Sequence, residues 1–334
     1  MLIAAIGDTH FKIDNIFIVD KLIQELINVL NDNKPDIIVL LGDILHDHER
    51  LHTIALNKAY YLINKIREIA PVYILVGNHD MINHDQFLTK QHWMNALKMW
   101  DNVIIVDNVI HLSESNLNFM FCPYVAPGRF IEALETIKGE FDWKNSSLIF
   151  AHQEFKGCKM GAIISEIGDE WDINSPLVVS GHIHSKQRPQ ENIVYPGSSM
   201  QVAYGENEAN IVLLINIDEE KLELEEINLD IPKKRIIYIE SSEFDTFTPP
   251  NDKDHIKLTI KGSYEDFKTL KKSKKYKLLI KNKNIKISYR HSKVENKYSE
   301  KNTSVLNFHD ILNKLVKDEN NNFLNSTYKK IINK

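Results

Sequence analysis

The chain has 334 residues, 43% of them hydrophobic and 26% charged, with a formal net charge of −5; this is the balance of a soluble globular protein with room for one large domain or two ordinary ones. No stretch approaches the roughly 20 apolar residues of a membrane span, and the apolar start Met1–Ile6 lacks a basic lead, so it reads as a first strand and not as a signal peptide. Only Cys122 and Cys158 are present, in no Cys-x-x-Cys pattern, which argues for a reduced, intracellular protein without a disulfide framework or a thiolate zinc site.

In chain order, Leu2–Ile6 is an aliphatic strand that ends at Gly7-Asp8-Thr9-His10. Residues 16–31 place Ile16, Val19, Leu22, Ile23, Leu26, Ile27 and Leu30 at helical spacing, with Asp14 as the expected N-cap. Ile37–Leu41 is a buried-type strand ending at Gly42-Asp43-Ile44-Leu45-His46, residues 51–68 read as an amphipathic helix, and Val72–Val76 is a third strand ending at Gly77-Asn78-His79-Asp80. The repeated order of strand, polar tip and helix predicts an α/β fold with a largely parallel sheet.

A helix is expected around 87–99, then strands near 103–106, 109–112 and 117–122. Ser147–Ala151 forms another strand, ending at His152-Gln153-Glu154, and Leu177–Ser180 leads into Gly181-His182-Ile183-His184. Strands near 210–216 and 220–227 are expected to close a second sheet. A domain boundary fits around 228–240, where Pro232-Lys233-Lys234-Arg235 interrupts the pattern. Beyond it lie a predicted strand at 256–260, a helix near 264–272 and a strand near 277–289, then two helices over 305–332. The charge is also uneven along the chain: residues 1–250 carry 37 Asp and Glu against 20 Lys and Arg, and 251–334 carry 21 basic against 9 acidic groups.

The polar tips form one constellation: Asp8 and His10, Asp43 and His46, Asn78 and His79, His152, and His182 with His184. Each follows a predicted strand, so all can meet at the carboxyl edge, where open α/β folds place their ligand sites. Carboxylate and amide oxygens mixed with imidazoles suit a pair of divalent ions. One carboxylate must be shared in such a pair, and Asp43, in the middle of the set, is placed for that. Paired ions about 3.5–4 Å apart activate a water and neutralise charge on a phosphoryl group in flight, which is the chemistry of phosphoester hydrolysis. A turn-forming Asp or a core histidine would explain any one tip alone. Turns do not explain all of them together.

These tips resemble the five-motif pattern of calcineurin-like metallophosphoesterases. Tyr195-Pro196-Gly197-Ser198, followed by Tyr204-Gly205-Glu206, is similar to the Tyr-Pro-Gly-Ser segment of the SbcD, or Mre-eleven, DNA repair nucleases. His152-Gln153-Glu154-Phe155 with Gly157 resembles the version found in phage recombination endonucleases. The resemblance implies a four-layer β-sandwich flanked by helices, made of a nuclease domain (1–235), a small α+β capping and DNA-binding domain (236–292) and C-terminal helices (300–334).

It further implies two ions, manganese by preference, one held by Asp8, His10, Asp43 and His184 and the other by Asp43, Asn78, His152 and His182. His79 would assist the leaving oxygen, and His46 would orient the phosphate or support His79. Asp80 is placed either to steady His79 through its other nitrogen or to cap the next helix. The implied activity is 3′-to-5′ exonuclease action on duplex ends and endonuclease cleavage of single strands, in recombination and double-strand-break repair. The implied partners are DNA, a Rad-fifty or SbcC-type ATPase docked through a stripe of Val305, Leu306, Ile311, Leu312, Leu315 and Val316, and a second copy of the chain. Trp93, Leu97 and Trp100 are either part of that dimer interface or ordinary core. The setting would be the cytoplasm, nucleoid or nucleus, including that of a virus-infected cell. Two other readings fit the motifs: an enzyme of the same fold acting on a small phosphodiester such as a cyclic nucleotide, and a catalytically silent scaffold.

Overall fold

The computed structural model describes residues 1–48, 50–83, 86–291, 308–319 and 321–332. In chain order the elements are β1 (Leu2–Ile6), α1 (Ile16–Asn33), β2 (Ile37–Leu40), α2 (Thr53–Ile66), β3 (Val72–Leu75), β4 (Val103–Val106), β5 (Ile110–Glu114), β6 (Leu117–Cys122), α3 (Phe130–Glu135), β7 (Leu148–His152), β8 (Lys159–Met160), β9 (Ile163–Ile164), β10 (Val178–Gly181), β11 (Gln187–Gln190), β12 (Ile193–Tyr195), β13 (Ile211–Ile217), β14 (Leu222–Asn228), β15 (Lys234–Glu240), β16 (His255–Gly262), α4 (Tyr264–Leu270), α5 (Lys274–Leu279), β17 (Ile285–His291), α6 (Phe308–Asp318) and α7 (Asn322–Ile332).

Two six-stranded sheets carry the fold, ordered β14-β13-β1-β2-β3-β4 and β11-β12-β10-β7-β6-β5. In both, the central strands run parallel: β1, β2, β3 and β4 in the first, and β6, β7, β10 and β12 in the second. Period-two alternation sorts their side chains into layers. Ile3, Ala5, Ile37 and Val39 of the first sheet meet Phe119, Phe121, Phe150 and Val179 of the second in one core. Their neighbours Ala4, Ile6, Ile38 and Leu40 face the other way, onto the apolar stripes of α1 and α2. On the far side Met120, Ile149, Ala151 and Val178 pack under Phe130 of α3 with Trp143 and Trp171. Helix, sheet, sheet and helix therefore stack in four layers.

Several expectations are corrected. The strands after 210 do not build the second sheet: β13 pairs antiparallel with β1, Ile3 opposite Ile215, and so extends the first. Asp14 lies inside a 3-10 turn, Ile13–Asn15, and Asn15 holds the N-cap position of α1. In place of a helix at 87–99 there is an irregular segment ending in a 3-10 turn, Asn95–Met99. Leu97 is buried in the core under α1 and α2, and Trp93 and Trp100 pack against that core. The stretch expected as a strand near 277–289 starts as helix α5, and only from Ile285 does it become β17.

Strands β15, β16 and β17 form a separate three-stranded sheet, with β15 and β16 parallel. Its core is its own: Phe244, Ile256, Leu258, Ile260 and Ile285, with Phe267, Leu270 and Tyr276 of α4 and α5 packed around them. The chain divides into compact units Met1–Arg290 and His291–Lys334. Helices α6 and α7 belong to the second, where Ile311, Leu315, Phe323 and Leu324 are exposed. Val305 and Leu306 of the expected docking stripe lie outside the described residues. Among the described residues no helix is long and apolar enough to cross a membrane.

Candidate metal centre

Parallel pairing in both sheets sends the strand tips to one edge. The tips of β1, β2 and β3 bring Asp8, His10, Asp43, Asn78 and His79 from the first sheet, and the tips of β7 and β10 bring His152, His182 and His184 from the second. Three of these residues have left-handed backbones: His10 at φ 44°, Asp43 at φ 51° and His182 at φ 79°. Such conformations cost roughly 1–3 kcal/mol each and persist where the surroundings impose them, which is typical of binding sites. Gly77 is required for a steric reason, because a Cβ there would collide with the carboxylate of Asp43.

Among the described residues three groups of side chains could hold a metal ion, one of them His10, His46 and His79. Asp8, His10 and His184 place ligand atoms within 4.8 Å of one another, and so do Asp43, His152 and His182. His10 Nε2 lies 2.9 Å from His184 Nε2. Asn78 Oδ1 lies 2.8 Å from His182 Nδ1 and 3.1 Å from His152 Nε2. Ligands bound side by side at about 2.1 Å from one ion stand about 3 Å apart. Asp43 Oδ2 sits between the sets, 3.6 Å from His10 Nε2 and 3.4 Å from His152 Nε2.

The donor chemistry fits cations. His152 Nδ1 faces the Leu41 carbonyl at 2.6 Å, and donating its proton there turns the Nε2 lone pair of the neutral ring onto Asn78 Oδ1. Two acceptors then face each other at hydrogen-bond distance, an arrangement that a proton or a metal ion must resolve. The titration behaviour agrees. Burial alone would lower His152, but the Asp43 and Asp8 carboxylates overcome it and raise it to about 9. Burial pushes Asp43 up, and the surrounding imidazoles, His152 first, outweigh that and hold it well below the carboxylate range. Burial drives His10 well below the usual imidazole value, helped by neighbouring His184, His79 and His46.

The remaining predicted residues separate into different roles. His79 lies beside the ligands: its N–H donates to Asp43 Oδ1 at 2.8 Å and its Nδ1 meets the His46 carbonyl at 2.5 Å, so Nε2 is the nitrogen left for chemistry. His46 stacks near it, ring centroids 5.3 Å apart, and its Nδ1 is 3.4 Å from His10 Nδ1. Asp80 is neither the expected partner of the His79 ring nor a helix cap. Its buried carboxylate accepts from the N–H groups of Ile44, Leu45 and Gly77 and from Trp93 Nε1, tying the loops after β2 and β3 together.

Sequence reading missed two supporting glutamates. Glu206 Oε1 lies 3.0 Å from His184 Nδ1, and Glu154 Oε2 lies 3.9 Å from His182 Nε2. Both stand in segments that carry the resemblance, Tyr204-Gly205-Glu206 and His152-Gln153-Glu154, but the spacing gives no sign that they back the two histidines of β10's tip. A cleft of ≈ 790 Å³ opens over the centre, with Asp43, Asn78, His79, His182 and His184 on one wall and the β8–β9 turn on another.

A sandwich with His and Asp groups gathered on one edge in this way defines a protein able to hold metal ions there. Residues 1–186 match the family described as Metallophos, calcineurin-like phosphoesterase. The chain is 54% identical over 275 residues to the protein named "Putative phosphoesterase 244L" of Invertebrate iridescent virus 6, covering 80% of this chain and 96% of that one. It is 44% identical over 278 residues to "Putative phosphoesterase 078R" of Invertebrate iridescent virus 3, covering 82% and 80%. Among solved structures, the purple acid phosphatase PPD1 of yellow lupin aligns at 13% identity with a TM-score of 0.44, over 70% of this chain and 54% of that one. The chain belongs to the calcineurin-like phosphoesterase family, whose members use divalent metal ions, and it is a phosphoester hydrolase.

Proposed function

We propose that the chain is a two-metal phosphodiesterase that cleaves DNA, acting as the nuclease subunit of a recombination or double-strand-break repair complex in a virus-infected cell. The observation that carries the choice of a polyanionic substrate is the small sheet and its helices. Residues 251–290 hold thirteen Lys and Arg against four Asp and Glu, and most of these cations are exposed. The acidic remainder of the chain would by itself repel a polyphosphate, and phosphate binding depends on neutralising that charge. The similarity of Tyr195-Pro196-Gly197-Ser198 and Glu206 to the SbcD segment supports the same choice.

In this reading Asp8, His10, Asp43 and His184 hold one ion, and Asp43, Asn78, His152 and His182 hold the other, with manganese preferred. Bound there, the ions would supply an activated water and neutralise charge on the phosphoryl oxygens. The protein's own part is to position and to move a proton: His79, whose backbone N–H donates to Asp43 Oδ1 and whose Nδ1 meets the His46 carbonyl, presents Nε2 to the reacting phosphate and exchanges a proton there. Burial, opposed in part by Asp43 and the His46 carbonyl, holds His79 below the ordinary imidazole value. Duplex ends would be digested 3′ to 5′ and single strands cut internally, with a second copy of the chain and an SMC-like ATPase as partners.

A cleft of ≈ 790 Å³ is also the size of a small-ligand site, and that favours a second reading, hydrolysis of a small phosphodiester. The deciding experiment assays the full chain with manganese on linear and hairpin DNA and on a cyclic nucleotide. DNA cleavage is expected, with His79→Ala lowering kcat by about 10²–10⁴-fold while two manganese ions still bind. Hydrolysis of the cyclic nucleotide with no cleavage of any DNA establishes the second reading instead.

A further inference from the structure

The small sheet is bonded to one particular metal ligand. Its first strand, β15, begins at Lys234, whose backbone is gripped on both sides by the side chain of Gln201. Lys234 N–H donates to Gln201 Oε1 at 2.6 Å, and Gln201 Nε2 donates to the Lys234 carbonyl at 3.1 Å. The same Nε2 donates to the Glu206 carbonyl at 2.9 Å. The Glu206 carboxylate curls back over its own turn, accepting from Val202 N–H at 2.5 Å and Ala203 N–H at 3.0 Å, while its other oxygen meets His184 Nδ1 at 3.0 Å. Lys234 Nζ closes the clasp on the Val202 carbonyl at 2.9 Å.

Gln201 and Lys234 are both buried, so these bonds are not exchanged freely for water. A buried amide that loses its partners costs more than the bond is worth when made. The turn 201–206 therefore has two fixed attachments, His184 on one side and the start of β15 on the other. The corresponding glutamate behind His182 leads elsewhere: Glu154 accepts from Ser165 Oγ at the base of the β8–β9 hairpin and has no bond to the small sheet among the described residues.

We propose that Gln201 and Glu206 are positioning residues that make the ion held by His184 depend on how the small sheet is seated, while the ion held by His182 is independent of it. Glu206 orients the His184 ring and keeps its proton on Nδ1, leaving Nε2 for the ion. Gln201 fixes Glu206 relative to β15. A ligand or partner that shifts the small sheet thereby alters one ion site selectively. The inference rests on the two ligand sets holding ions and not on which phosphodiester is cleaved.

The test is manganese titration of the metal-free full chain by calorimetry, with manganese electron paramagnetic resonance to distinguish isolated from paired ions. Wild type is expected to bind two ions. Glu206→Ala should weaken one of them about 10–100-fold, the range for loss of a carboxylate behind a ligating imidazole, and leave the other unchanged. Glu206→Gln keeps an acceptor oxygen for Nδ1 and should recover most of the loss. Gln201→Met, matched in volume, and Lys234→Met, which removes only the Nζ clasp, should weaken the same single site by a smaller factor, and either suffices if the other does not fold. Two ions bound as in wild type by folded Glu206→Ala, or equal weakening of both sites, overturns the role of Glu206. Wild-type binding in Gln201→Met and Lys234→Met overturns the link to the small sheet.

Discussion

At the scale of single residues, burial and neighbouring charges move His152 and His46 in opposite directions. His152, ringed by Asp43 and Asp8, is raised to about 9. His46, half-buried near Lys12, is lowered to about 4 by burial first and the Lys12 ammonium second. The sign follows from linkage. An imidazole whose folded pKa lies below its unfolded value of about 6.5 binds more protons unfolded than folded between the two. Its contribution to stability is therefore full above about 6.5 and lost as pH falls towards about 4. Metal-free wild type is accordingly expected to lose stability more steeply than His46→Gln over that window, by up to one proton's worth of slope. Denaturant titrations at a series of pH values measure this, and parallel pH profiles would contradict it. These values were not legible in the sequence. Motif spacing identifies which side chains meet, whereas the titration depends on depth and on neighbours up to 174 positions away, as His184 is from His10.

Among elements, the legible part was whatever is local. Short apolar runs ending in a polar tip, with a Gly at the junction of β1, β2, β3 and β10, identified these strands and β7, because a buried parallel strand must be apolar along its whole length. Partnership between strands is not local. Nothing in Ile211–Ile217 says that it will lie against β1 rather than in the second sheet. Residues 274–279, with Tyr276 and Leu279 at helical spacing, form α5 where a strand near 277–289 was expected. Asp80 shows the same limit. It reads like a catalytic carboxylate beside His79, yet it serves as the knot between two loops. Replacing it with Ala would leave three backbone N–H groups and the Trp93 indole without their acceptor, and unpaired buried donors cost about 1–3 kcal/mol each. Asp80→Ala is expected to destabilise the metal-free chain by roughly 3–5 kcal/mol as measured by urea unfolding. A loss below about 1 kcal/mol would show that the loops hold without it.

For the molecule as a whole, the ligand sets have a consequence apart from chemistry. Asp8, His10, Asp43 and Asn78 come from the first sheet, and His152, His182 and His184 from the second, so each ion would take ligands from both. Between the sheets elsewhere lies mostly the apolar core, which resists separation but has no direction, joined by hydrogen bonds such as Tyr124 N–H to the Val76 carbonyl and Asn116 to Glu219. Ions at the strand tips would act as rivets through the laminate. By mass action, each site filled at about 100 times its Kd adds about 2.7 kcal/mol to the folded state. Manganese should raise the melting temperature by several degrees, and amide exchange should slow at the tips of β2 and β10 together; a rise in exchange protection confined to one sheet would argue against this. Durability and turnover are then fastened by the same side chains. A descendant of this chain that abandoned hydrolysis would still have reason to keep its histidines, and their persistence alone would not prove that it is an enzyme.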